Sequence, residues 1–214
     1  MRVVTTLDAS SDWQQAGIDR HALMLSTFIN SGKNALLAPE FRTMTLVVRS
    51  TVSDPALALL GMKDELLAAR IRAKVIVAKL EPEDGLRQLY LALSELSPGK
   101  PANELIRWAK NPRLAEAHEQ VTCGHSFCWS GDAMRRDAGK RNALMLFDEH
   151  SPAAMQRLTR AFLALWNASI SVPRARLSGT TMGRPLGSYE TFGETSVVPS
   201  ALRAALQGWP LVRH

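Results

Sequence analysis

Residues 115–147 read AEAHEQVTCGHSFCWSGDAMRRDAGKRNALMLF, and the pattern of this stretch decides the fold. Two extended runs flank Gly124-His125, a basic polar loop follows, and an apolar run from Ala143 to Phe147 closes the stretch. Read as a two-residue hairpin turn, Gly124-His125 places His118 opposite Gly131 and Ala117 opposite Asp132. His118 then faces a residue with no side chain, with Ser130 and Asp132 beside it, which is the outline of a small polar pocket. In the same register Cys123 and Cys128 share a face, diagonally related, while His118 and Cys123 point to opposite faces. Glu119 points away from the His118 face.

Outward from the hairpin, strands and helices alternate. Residues 10–31 have helical spacing of Ile18, Ala22, Leu25, Phe28 and Ile29, with Ser11 or Asp12 as cap. Arg20 and His21 fall near the polar flank of that helix, where solvation is expected. Met44 to Val48 is a continuous apolar run suited to a strand buried on both faces. Asp54-Pro55 supplies a cap followed by proline at the first helical position. The helix it starts is expected to run to about Arg72 and to bury Leu59, Leu60, Leu66, Leu67 and Ile71. Lys74 to Leu80 is the second strand, and strand–helix–strand order implies a parallel crossover in an α/β architecture. The acidic break from Glu81 to Gly85 caps a helix from Leu86 to Leu96. Ser97 to Pro101 is a turn, and Glu104 to Trp108 a short strand. On the far side, Ser151-Pro152 opens a helix whose Met155, Leu158, Phe162, Leu165 and Trp166 form one apolar face. From Pro173 the chain is rich in Gly, Pro and Arg, with a short helix candidate at Ser200 to Leu206; Tyr189, Phe192 and Trp209 give it something to bury, as a docked arm would. The expected division is an N-terminal helical segment (1–39), an α/β domain (40–172) and a C-terminal arm (173–214).

At the central stretch the sequence resembles the C-terminal half of a phospholipase D-like domain, whose signature is HxKxxxxD followed by GSxN. His118 stands at the histidine, Gln120 at the lysine and His125 at the aspartate; Gly131, Asp132 and Met134 stand where Gly, Ser and Asn would be, with the spacer one residue short. AARIRAKVIVAKL (68–80) resembles the helix end and strand that precede the motif. FDEHSPAAMQRLTRAFLALWNAS (147–169) resembles the acidic strand end and closing helix that follow it. The resemblance covers roughly residues 40–169, and it implies a mixed sheet with helices packed on it, as in one phospholipase D-like half-domain.

The resemblance implies phosphodiester cleavage through a phosphohistidine, which needs one histidine as nucleophile and a second as general acid. Imidazole titrates near neutrality, and cationic donors stabilise the charge that develops on phosphate. The chain has one motif copy, so a second His118 would come from a symmetric homodimer. The catalytic candidates are therefore His118, Gln120 and Asp132, and the phosphate-binding candidates Ser130, Arg135 and Arg136. Gln120 is neutral where the family has a cation, and an ionised Asp132 would repel phosphate. Arg135, Arg136, Lys140 and Arg141 offset it only if their loop folds back; otherwise they are a solvated loop balanced by Asp137, Asp148 and Glu149.

The whole chain has 214 residues, a net charge of +6 and a pI near 9.7. That length buries a real core, and the charge favours anionic partners while lying within the range that solubility alone explains. No apolar run reaches the length of a membrane span. MRVVTTLDASSDW lacks the pattern of a secretory signal, so a cytoplasmic location is expected. Two cysteines make no disulfide framework and are expected as buried thiols. His118, Glu119, Cys123, His125, Cys128 and Asp132 match no standard zinc spacing, and there is no phosphate-binding glycine loop or dinucleotide fingerprint, so neither metal nor cofactor is expected. Trp129 is expected against the sheet. Three functions remain open: a degenerate, non-catalytic module for binding or assembly, with a phosphate-containing ligand as one candidate; an active homodimeric phosphodiesterase or nuclease using His118; and an unrelated function on a similar fold.

Overall fold

A computed structural model describes residues 9–34, 42–125, 127–135, 146–149 and 151–178. Arg136, Lys140, Arg141 and the 200–206 helix candidate lie outside the described residues. The architecture is α/β: a seven-stranded mixed sheet with helices on both faces. Along the chain come α1 (Ala9–Asn34), β1 (Thr43–Val48), α2 (Asp54–Gly61), α3 (Lys63–Ala68), β2 (Arg72–Val77), α4 (Glu83–Leu96), α5 (Ala102–Leu105) and β3 (Ile106–Trp108). A 3-10 turn (Pro112–Glu116) then leads into β4 (His118–Cys123), β5 (Phe127–Ala133), β6 (Leu146–Glu149), α6 (Pro152–Ala168), β7 (Ile170–Ser171) and α7 (Arg174–Ser178). The strand order is β6-β5-β4-β1-β2-β3-β7. Strands β1, β2 and β3 are mutually parallel, whereas β4, β5 and β6 form an antiparallel meander attached to β1.

The sequence of β1 explains its central place. In MTLVV every second residue faces one side, and both sides are covered: Leu46 joins the core under α1–α4, and Val47 the core under α6. A strand buried on both faces has no room for alternating polar residues. Leu25 and Phe28 of α1, Leu59 of α2, Leu66 of α3 and Leu89 of α4 complete the first core. Phe162 and Leu165 of α6 complete the second with Ile76 and Met134. Ser151 caps α6 by accepting from the Ala154 amide at 3.3 Å. The 174–178 turn docks on α4: Leu177 is buried, and Arg176 pairs with Glu81 and Glu83. Among the described residues no helix is long and apolar enough to cross a membrane.

Four local expectations change. The single helix after Asp54-Pro55 is two helices, broken where the Met62 amide bonds back to Ala58. The break rotates Leu67 outward (44% exposed) and leaves Ile71 buried in the link to β2. Strand β2 begins two residues before Lys74 and ends at Val77, and Leu80 is buried from outside the sheet. Residues 104–105 belong to a helical turn, so only Ile106–Trp108 is strand. His21 is buried, with its ring edge-on to Trp129 at 4.5 Å. The apolar stripe of α1 is therefore turned toward His21 and Met24, because an imidazole edge satisfies an indole face as an aliphatic side chain would.

Gly85, in the first turn of α4, sits against Thr51: a Cβ there would lie 2.6 Å from the Thr51 hydroxyl oxygen. Gly85→Ala should therefore cost about 1 kcal/mol or more in urea unfolding through overpacking. In a Thr51→Ala background the same change should become neutral or stabilising, since alanine is the better helix former.

Candidate functional site

The hairpin that carries His118 is offset by one residue from the two-residue turn. Cys123 pairs with Phe127, Thr122 with Cys128, Val121 with Trp129 and Gln120 with Ser130. Three residues, 124–126, form the connection, and Gly124 takes φ 58°, a left-handed conformation that glycine adopts without a Cβ clash. The Gly124 amide bonds the Thr43 carbonyl at 2.8 Å, which fixes the hairpin end against β1.

One residue of offset moves each side chain of β5 to the other face relative to β4. Cys123 and Cys128 consequently lie on opposite faces, Cys123 in the core under α1 and Cys128 against Met155 and Leu158 of α6. The same-face relation expected for them does not hold. Burial pushes the Cys123 thiol well above its ordinary range, and Cys128 adds to the effect. Among the described residues no three potential ligands cluster as a metal site would require.

A bulge then restores a polar site at the end of the hairpin. Between the Gln120–Ser130 and His118–Ala133 pairs, Glu119 on β4 faces two residues of β5, Gly131 and Asp132. His118 therefore stands opposite Ala133, not Gly131, and Ala117 receives the Met134 amide at 2.9 Å where Asp132 was expected. Gly131 still meets His118, through its backbone: the carbonyl oxygen lies 2.5 Å from Nδ1. A carbonyl oxygen can only accept, so Nδ1 is the nitrogen that carries the proton in this contact. Gly131 is required for a second reason. A Cβ there would lie 2.4 Å from the Trp129 ring, which packs on the opposite face against His21. Trp129 is thus a core residue, as expected.

The other site positions are drawn into the protein. Gln120 is almost wholly buried, and its amide donates to the Leu158 carbonyl of α6 at 3.0 Å. Ser130, its partner across the hairpin, is buried on the same side. Met134 lies in the core with Phe162 and Leu165. Asp132 is half-buried in the bulge with its Oδ2 atom inside the fold. Arg135 is exposed and pairs with Glu116 at 2.7 Å. Arg136 is outside the described residues. The structure therefore brings His118 onto the Gly131 carbonyl, places Asp132 in the bulge opposite Glu119, and draws the side chains of Gln120 and Met134 inward while Arg135 pairs with Glu116.

Sequence reading overlooks Arg49. Arg49 follows directly on β1, whose last partner on β4 is Gln120, two residues from His118. The Arg49 amide donates to Glu119 Oε1 at 2.8 Å, so the buried Glu119 pins the end of β1 to β4. The signal in the sequence is the pair Arg49-Ser50 directly after the apolar run of β1, a cation at the carboxyl end of a central strand.

No protein-family model, curated protein or solved structure matches this chain.

With its pKa raised, the Cys123 thiol stays protonated through neutral and mildly alkaline pH, and burial denies access to reagents. Iodoacetamide at pH 8 should leave Cys123 unmodified in the native protein and label it fully in urea, as read by peptide mass spectrometry.

Proposed function

We propose that the chain is a degenerate phospholipase D-like half-domain of the cytoplasm that binds or assembles and does not cleave, working as a homodimer with a phosphate-containing ligand. The resemblance in the sequence concerns an order of elements, and the parallel β1–β2 pair, the hairpin β4–β5 and the closing helix α6 follow that order. Two buried cysteine thiols suit a reducing compartment.

The observation that carries the non-catalytic reading is the fate of Gln120. Phosphoryl chemistry needs cationic or amide donors aimed at the equatorial oxygens. The Gln120 amide is instead spent on the Leu158 carbonyl inside the protein, and Met134 offers an apolar side chain to the core. Neither can turn outward without leaving a buried group unsatisfied or opening a cavity.

One observation favours a second reading, an active homodimeric phosphodiesterase or nuclease with His118 as covalent nucleophile. The Gly131 carbonyl orients the His118 ring through Nδ1, and Arg49 follows directly on β1, the strand next to β4 in the sheet. In that reaction Nε2 attacks phosphorus, the alkoxide leaves with a proton from the partner's imidazole, and water then hydrolyses the phosphohistidine.

Titrating vanadate, a mimic of the phosphoryl transition state, into the wild-type protein and His118→Ala by calorimetry separates the two. The non-catalytic reading expects no turnover of bis(4-nitrophenyl) phosphate by either protein, and any vanadate binding to the wild type is then binding without cleavage. Saturable binding to the wild type that disappears in His118→Ala, together with turnover, would replace it with the enzyme.

A further inference from the structure

Charge is not evenly spread over the two faces of the sheet. The layer of α1–α4 carries an excess of carboxylates, among them Asp12, Asp19, Asp64, Glu65, Asp84 and Glu95. The opposite face is covered by α6, which has no acidic residue and exposes Arg157 and Arg160. The strands beside α6 add Arg72, Lys74 and Arg107 on that same face, since Ile76, two residues beyond Lys74, packs under α6 and pairs with Arg107. Among the described residues, α6 and the strands beside it thus carry a local group of cations with no carboxylate on the helix.

The path of α6 leaves part of that face open. Its first turns sit on Cys128 of β5, Leu158 meets Gln120 of β4, Phe162 and Leu165 cover Val47 and Ile76, and Trp166 reaches Arg107. The helix therefore crosses the sheet obliquely and climbs away from the amino-terminal ends of β1 and β2. The uncovered corner has Thr43 and Thr45 on β1 beside Arg72 and Lys74 on β2, in direct register. Lys74 and Arg72 are exposed, and Thr45 is half-buried.

The corner is held in shape. Lys74 Nζ and the Arg107 guanidinium lie over the Trp166 ring at 5.3 and 5.1 Å, so the indole fixes both cations against the edge of α6. Arg107 also donates to the Trp166 and Ser169 carbonyls at the end of α6. On the floor, the Thr45 and Thr122 hydroxyl oxygens are 2.6 Å apart. One proton serves that contact, and the pair retains a second for another acceptor.

We propose that this corner, between the Trp166 edge of α6 and the amino-terminal ends of β1 and β2, binds the sugar–phosphate backbone of a single-stranded nucleic acid. Arg72 and Lys74, two residues apart on one strand, are spaced by about 6.6 Å, comparable to successive phosphates along an extended strand. The threonine floor supplies a hydroxyl donor to a phosphate oxygen between them. The spacing suits the single backbone of an extended strand, so a duplex and a lipid surface serve as the competitors in the test. The indole is covered by its cations, so the contact reads charge and not base identity. The site lies at the opposite end of the strands from His118, and it does not depend on how the His118 pocket is read.

Fluorescence anisotropy of a labelled oligothymidylate, with a matched duplex and phosphatidylserine vesicles as competitors, tests the assignment. The wild type should bind the single strand, and log K should fall linearly with log salt. The Arg72→Gln/Lys74→Gln double variant should bind roughly tenfold more weakly and lose about 1.4 from the salt slope, at 0.7 per single-strand phosphate contact. Lys63→Gln, in the α1–α4 layer, should bind as wild type, and circular dichroism should show all three folded alike. Arg107 is left intact because it also holds the end of α6. No binding, equal weakening by the Lys63 change, no weakening by the double change, or equal or better competition by duplex or vesicles would each overturn the proposal. Vanadate results leave it untouched, so the two readings fail separately.

Discussion

The absence of a side chain at residue 131 is the constraint on which the hairpin depends. Trp129 must lie flat over that position to reach His21 and the core under α1, and any Cβ would occupy the space of its ring. The chain accommodates the large ring by bulging at Gly131-Asp132, and the bulge turns the Gly131 carbonyl toward His118. A packing need on one face of the sheet thus orients an imidazole on the other. Burying an indole contributes a few kcal/mol through its apolar area, which is enough to make the bulge a fixed feature and not a fluctuation.

How far the sequence discloses this fold follows from which features are local. The helix after Ser151-Pro152 was legible because its cap, its proline and its stripe from Met155 to Trp166 all agree. Strand β1 is legible because four of the five residues 44–48 are apolar, with only Thr45 interrupting, as suits a strand covered over most of both sides. The hairpin register was not, because Gly124 permits a turn of two residues or three, and nothing nearby in the sequence distinguishes them. That choice is made at a distance, by the Gly124 amide bonding Thr43 and by Trp129 finding His21. The burial of His21 was illegible for the same reason: its partner is more than a hundred residues away. The break at Met62 was hidden because apolar residues continue through it at nearly helical spacing.

The candidate site was legible in part. The two-residue register sets His118 opposite Gly131, and the bulge keeps that meeting by a different route, through the Gly131 carbonyl. Gln120 is a site candidate because it stands at the lysine of the resembled motif, and Ser130 because the two-residue turn sets it beside Gly131. Alternation does bring them to one face, but that face lies beneath α6 and the side chains are enclosed. Periodicity fixes which face a residue occupies; what covers the face is decided by the path of a helix whose contacts are long-range.

Arg49 was missed because its relation to His118 exists only through the β1–β4 pairing, a contact between residues some seventy positions apart. It also shows why substitution at a motif and loss of chemistry need not coincide. A cation brought in from a neighbouring strand can stand near the imidazole without any residue of the motif supplying it. The geometric requirement is harder to replace than the charge, since a donor must point at the oxygen that becomes negative. Gln120 points at Leu158, and the energy of that buried amide–carbonyl bond holds it there. An arginine on the strand next to β4 adds attraction for an anion, but attraction that is equal for ground and transition states binds without accelerating. On that physical distinction, a charge near His118 and a donor aimed at a transferring oxygen are separate requirements, and the bond from Gln120 to Leu158 removes the second.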